Sequence, residues 1–125
     1  MPMLIISTNS TKTVSPDQLK QLSEDFAAAI KKPEAFCNVA INRNPEQLFG
    51  GKSDNCAVVN LHSIGNLSVD DNQRISETIG PKISEALDIA IDRMYILFND
   101  YNKSWIGWNK TTFHDLLDEH NNPKV

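Results

Sequence analysis

The apolar positions of this chain change period twice, in the same order each time. Met3-Leu4-Ile5-Ile6 is β-rich and predicts a strand over Pro2 to Ser7. A polar turn, Asn9 to Thr13, follows. Ser15-Pro16-Asp17-Gln18 then carries the chemistry of a helix start, with Ser15 as N-cap, Pro16 at the first position and Gln18 in the capping-box place. Leu19, Leu22, Phe26 and Ile30 recur at helical spacing, so one stripe faces a core. Pro33 stops that helix after Lys31 and Lys32, two cations suited to its carboxyl end. Cys37, Val39 and Ile41 alternate with Asn38, Ala40 and Asn42, which predicts a strand with one buried face. Phe49-Gly50-Gly51 predicts a turn.

The second half repeats the order. Cys56 to His62 reads as a strand that Ser63-Ile64-Gly65 ends. Ser68 caps a helix with Ile75, Ile79, Ile83 and Leu87 on one stripe. Pro81 cannot donate to the carbonyl of Glu77, so a kink or break is expected at Gly80-Pro81. Met94 to Phe98 is apolar at odd and even positions, so both faces of that strand want burial. A subunit interface over the second face is the favoured account, and packing by the tail is the other. Ile106 to Trp108 suggests one more short strand, and the region from His114 to Glu119 a short helix in a polar tail.

Strand–helix–strand therefore occurs twice, roughly 55–60 residues apart, longer than the usual solenoid repeat. A helix crossing between two strands implies parallel pairing within each unit. The 125 residues fit one domain. A chain so short buries a modest share of its surface alone, which favours association. The formal charge of -4 and the absence of a basic stripe argue against nucleic acid. No apolar run is long enough for a bilayer, so no membrane partner is expected. The start, MPMLIISTNS, lacks the basic and long apolar regions of a signal peptide, which gives the cytoplasm as the default location. Cys37 and Cys56 read as reduced thiols rather than a disulfide framework. Asn-x-Ser/Thr sequons beginning at Asn9, Asn66, Asn102 and Asn109 then read as chance matches. His62, His114 and His120 have no paired ligand spacing, and Phe49-Gly50-Gly51 has no following Lys-Ser/Thr, so neither a metal site nor a phosphate loop is expected.

Several segments resemble the macrophage migration inhibitory factor family: Met1-Pro2-Met3, Thr8-Asn9, Lys32-Pro33, Phe49-Gly50-Gly51, Leu61-His62-Ser63-Ile64-Gly65, Asp92-Arg93-Met94-Tyr95-Ile96, Gly107-Trp108-Asn109 and Thr111-Thr112-Phe113. Their order and spacing cover nearly all of residues 1–113, taken as the domain; residues 114–125 are a polar C-terminal extension. The resemblance implies an α/β (α+β) tautomerase fold. In it a four-stranded mixed sheet carries two antiparallel helices on one face, and three subunits form a homotrimer with pockets between them. It also implies a cofactor-free keto–enol tautomerase acting on phenylpyruvate-like or dopachrome-like compounds. The alternative it offers is a cytokine-like ligand of a cell-surface receptor, released by a leaderless route, whose catalysis is vestigial.

Pro2 is the candidate catalytic residue. Removal of Met1 would give it a free secondary amine. Apolar surroundings disfavour the cation and lower its pKa, which leaves a neutral general base. Met3, Ile64, Tyr95, Ile106, Trp108 and Phe113 could form that apolar wall; Trp108 and Phe113 are otherwise plausible core or interface aromatics, Ile64 a core residue, and Tyr95 an ordinary strand tyrosine with its hydroxyl at the surface. The resemblance makes Lys32 the anchor for a substrate carboxylate; a cation at a helix C-terminus is the bland reading of the same residue, and Lys31 competes with it. It makes Ile64 a backbone N–H donor, with Ser63 beside it, and Tyr95 a pocket residue supplied by a neighbouring subunit. Phe36 stands where the family often has tyrosine and cannot donate a hydrogen bond. Leu97 stands where many members carry asparagine, so the pocket floor loses an amide. Val59 leaves Cys56-Ala57-Val58-Val59 with one thiol, which rejects a dithiol redox role.

Overall fold

The computed structural model describes residues 1–124. Strands β1 (Pro2–Thr8), β2 (Asn38–Arg43), β3 (Ala57–Ser63) and β4 (Met94–Asp100) form one sheet in the order β2-β1-β3-β4. Helix α1 (Pro16–Ile30) crosses from β1 to β2 and helix α2 (Val69–Leu87) from β3 to β4. Both crossed pairs are parallel, while β1 and β3 run antiparallel at the centre. The two helices therefore run antiparallel to each other, and an ion pair between Lys82 and Asp25 (3.4 Å) links them. This is the mixed sheet and pair of β-α-β units that the periodicity and the resemblance implied.

Alternation along the strands assigns the faces. Leu4, Ile6, Val59 and Leu61 are fully buried against Phe26 and Ile30 of α1 and Ile75, Ile79 and Ile83 of α2. Ile96 and Phe98 of β4 pack against the same core. The other face holds the intervening residues, among them Met3, Ile5, Asn60, His62, Tyr95 and Leu97. Tyr95 is 62% exposed and Leu97 48% exposed. Only one face of β4 is thus covered within the chain, and the tail does not cover the other.

Both helix starts are built as their sequences suggest, with reciprocal capping boxes at Ser15/Gln18 and Ser68/Asp71. Helix α1 ends with Lys31 as a left-handed C-cap (φ 59°), and Asn66 donates to the Ile30 carbonyl at 3.0 Å. The expected break at Gly80-Pro81 is absent, because α2 runs continuously through Pro81. Ile79 and Ile83, fully buried on either side, tie both turns to one core, and that packing outweighs one lost backbone bond. Past β4, Gly107–Trp108 (β5) and Thr111–Thr112 (β6) pair as a small hairpin, and Phe113–Leu116 forms one short helix, α3. No helix among the described residues is long and apolar enough to cross a membrane.

Candidate active site

One end of the sheet gathers the chain start, the end of α1, and the turn after β3. Pro2 is the first residue of β1, a place where a missing N–H costs the ladder little, and it pairs with Ser63. The Ser63-Ile64-Gly65 turn is held from several sides. Ser63 Oγ donates to the Gly65 carbonyl (2.8 Å), Tyr101 N–H to the Ser63 carbonyl (2.9 Å), and Gly65 N–H to Asp100 Oδ1 (2.9 Å). Gly65 has φ +73°, a conformation that favours glycine. His62 Nδ1 meets the Tyr101 hydroxyl at 2.7 Å beside it.

Lys31 and Lys32 separate in role. Lys31 is exposed, whereas Lys32 is half-buried and its Nζ donates to the Ile64 carbonyl. The cavity there, about 110 Å³, is walled by Met1, Pro2, Lys32, Phe36, Asn66 and Phe113, with the chain beyond Leu116 closing its far side. Apolar side chains of Ile64, Phe113 and Leu117 cluster beneath it, with Met1, Phe36 and Ile106 packed against them. Phe36 meets Trp108 and Phe113 edge-on, with centroids 5.5 and 5.9 Å apart. A second cleft on the other side of Phe36 is lined by Met3, Cys37, Asn38, Ile106 and Trp108.

These surroundings act on the charges. The terminal amine, carried by Met1, is pushed down to about 6, first by burial and then by the nearby Lys32 ammonium; Cys37 opposes the shift. Burial also lowers Lys32, against the pull of Asp100 and then Cys37. Burial raises the Cys37 thiol. The neutral amine is therefore favoured at this end of the chain, beside a cation that can receive an anion.

Two sequence-derived candidates lie elsewhere. Tyr95 pairs with Val58 and Leu97 with Asn60, whereas the Pro2 end of β3 is Ser63. Five strand residues separate the levels of Tyr95 and Pro2, about 16 Å at ~3.3 Å per residue. Tyr95 instead meets Phe49, 5.0 Å between centroids, and Arg93 lies over the same Phe49 ring at 5.4 Å. Several family-like segments build that end: Asn9 Nδ2 donates to the Gln47 and Ser53 carbonyls, and Arg93 to those of Asn55 and Asp54. Among the described residues no three His, Cys, Asp or Glu side chains gather as metal ligands. Sequence reading missed Asn66, Cys37 and Asp100 beside the amine or Lys32, and the whole wall beyond Leu116. Asn121-Asn122-Pro123 is a turn signal that pointed to the last of these.

Comparison with known proteins bears on the fold and the family. The family model for macrophage migration inhibitory factor matches residues 1–114. The chain is similar to macrophage migration inhibitory factor of Rattus norvegicus, 38% identical over 116 residues, covering 90% of this chain and 99% of that protein. A macrophage migration inhibitory factor homolog of Brugia malayi is 34% identical over 114 residues, covering 90% and 99%. Among solved structures, macrophage migration inhibitory factor of Trichinella spiralis superposes with a TM-score of 0.82 at 31% identity, covering 88% of this chain and 98% of that one. The homologue from Prochlorococcus marinus gives 0.80 at 28% identity, with 88% and 97% covered. On the family match, the sequence identity and the structural superposition together, this chain belongs to the macrophage migration inhibitory factor family.

Proposed function

We propose that the protein is a cofactor-free keto–enol tautomerase of aromatic α-keto acids, with Pro2 as its general base. The observation that carries this reading is the cavity that Pro2 and Lys32 line together, in which burial lowers the pKa of the terminal amine, carried there by Met1. Removal of Met1 hands the terminal amine to Pro2, one residue further into the same cavity wall. The neutral nitrogen takes a proton from the carbon next to the keto group. The C–H electron pair becomes the new C=C bond, and the carbonyl π electrons move to oxygen. That oxygen accepts the proton, so nothing is gained or lost overall. Lys32 holds the substrate carboxylate as a point charge, exchanging its bond to Ile64 for the anion. Phe36, Ile106, Trp108 and Phe113 supply apolar wall, Ile64 a backbone donor, and Ser63 the lock on the turn that carries it.

In this reading the domain is residues 1–113, and three copies assemble. Tyr95 and Leu97, exposed on the open sheet face, approach a neighbour's cleft beside Met3 and Trp108, which lies on that neighbour's own open face. A Pro2→Gly variant with unaltered phenylpyruvate turnover would defeat the catalytic assignment. Intact mass of the native protein tests the base itself, since retained Met1 makes the Pro2 nitrogen an amide without a basic lone pair.

A second reading is a cytokine-like factor, present in the cytoplasm and released by a leaderless route to bind a cell-surface receptor. It is favoured by the relatives' name, which describes inhibition of macrophage migration. Migration of macrophages exposed to the purified protein, alongside a Pro2→Gly form, checks it. No effect of either form ends that reading.

A further inference from the structure

The segment beyond the family match is not a loose tail. Leu117 is 8% exposed and belongs to the apolar cluster under the cavity. It forms a bridge with Pro123, and Lys124 N–H returns to the Leu116 carbonyl at 2.9 Å. Between them Asp118 closes a tight loop. Its N–H donates to the Asn122 carbonyl (2.7 Å), its carbonyl accepts from Asn121 N–H (3.0 Å), and its carboxylate accepts from the N–H groups of His120 and Asn122 (2.9 and 2.8 Å). Those bonds hold the Asp118 carboxyl below its usual range. Lys103 Nζ donates to the Asp118 carbonyl (2.7 Å), tying the loop to the body of the domain. On the opposite side the loop sits tight against the Ile64 turn, because a Cβ placed on Gly65 would lie 3.2 Å from Asn121 Nδ2.

The geometry points to residues 117–123 as a size-selecting wall of the active-site cavity. With Leu117, Asn121 and Pro123 facing Pro2, Lys32 and Phe36, they restrict it to α-keto acids bearing a single ring and exclude fused bicyclic compounds. The inference rests on the tautomerase reading for its substrate class, and on the loop's position for its selectivity. The family model ends at residue 114, so the wall is an addition to the matched domain. With Met1 in place the cavity measures about 110 Å³; loss of Met1 opens it on the Pro2 side, while the loop still bounds the side formed by Leu117, Asn121 and Pro123. The loop's own hydrogen bonds and its Lys103 tie mean that a larger ligand must displace an ordered structure.

The test uses two readouts on the full chain, on a form ending at Leu117, and on Lys103→Ala, which keeps every loop residue but removes the tie. One readout is turnover of phenylpyruvate against indole-3-pyruvate. The other is the rate at which the terminal amine is labelled by phenyl isothiocyanate against 1-naphthyl isothiocyanate, scored by mass of the N-terminal peptide. In the full chain the bicyclic partner of each pair is disfavoured. Shortening the chain raises the bicyclic-to-monocyclic ratio about tenfold in both readouts, and Lys103→Ala raises it in the same direction, within the range pocket shape commonly commands. Unchanged ratios in a folded shortened chain overturn the wall; should that form not fold, unchanged ratios in Lys103→Ala do so. Labelling needs no catalysis. Hence absent turnover with size-dependent labelling removes the tautomerase reading and keeps the wall, whereas brisk turnover with indifferent ratios does the reverse.

Discussion

The two ends of the central sheet are made from the same four strands but do opposite things with their polar groups. At the end holding Asn9, Asn55 and Arg93, side chains spend their hydrogen-bonding capacity on loop carbonyls. At the end holding Pro2, a lysine is half-buried with a single carbonyl for partner, and the terminal amine is driven toward neutrality. The first end is a fastener for residues 44–56. The second keeps charged groups under-solvated and close together, the condition that perturbs a pKa and prepares a base. Family-like residues occur at both ends, so resemblance alone does not separate scaffold from candidate site; the local electrostatics are what differ between them.

Changes in the shared core should not respect this division, and they are expected to have the largest effect. Phe26 is fully buried between α1 and the sheet. Phe26→Ala should cost about 3–5 kcal/mol from lost burial and the cavity left behind. Denaturant unfolding of the variant checks it, and exchange protection should fall at both ends together. Next comes a change confined to the Pro2 end. Pro2→Gly should lower kcat for phenylpyruvate by about 10²–10⁴-fold, the usual worth of a positioned base. The unfolding midpoint should move little, since Pro2 donates no hydrogen bond to the ladder and its carbonyl is retained in the variant.

The pH profile sharpens the contrast further. The base must be neutral, so kcat/KM should rise with pH and level at an inflection below the ~8 expected for an exposed α-amine, the direction in which burial moves the terminal amine at this end of the chain. Replacing Lys32 by Met should shift that inflection upward, because it removes the nearby positive charge while retaining an apolar stem. The same substitution weakens phenylpyruvate binding through loss of the anion's partner. Titrating the two proteins side by side separates the electrostatic effect from the binding effect.

What could be read in the sequence was what local chemistry decides. Ser15 with Gln18, the stripe from Ile75 to Leu87, and the alternation around Val39 each specify a conformation within one or two turns of chain. Of the kink or break that Pro81 announced, the break lost to the packing of Ile79 and Ile83, whose partners lie on distant strands. Pro2 and Lys32 were legible through resemblance, but their proximity to Asp100 and Cys37 depends on the sheet order. The loop at 117–123 was read as a polar tail because it has no hydrophobic period. Its order comes from one carboxylate, Asp118, and from Lys103, more than a helical turn away in sequence. A short polar segment folded by long-range bonds has little signature to find.

The smallest expected effects lie on the open face, where Tyr95 and Leu97 point away from their own chain's Pro2. If a neighbour completes the cavity, a Pro2→Gly subunit and a Tyr95→Ala subunit each lack something the other has. Mixed assemblies refolded from the two variants should then turn over phenylpyruvate faster than either variant alone, whereas a site made within one chain gains nothing from mixing. Leu97→Asn is gentler still. It restores an amide one strand position-pair from Tyr95, on the same face, and should favour a ligand carrying a phenolic hydroxyl by about 0.5–1.5 kcal/mol, the net worth of one hydrogen bond. Comparing p-hydroxyphenylpyruvate with phenylpyruvate in wild type and variant isolates that hydroxyl, because the two compounds differ in nothing else. A gain for both compounds alike would mean that Leu97 acts through packing of the subunits. A gain for the hydroxylated one alone places residue 97 of one chain within reach of the ring held by another.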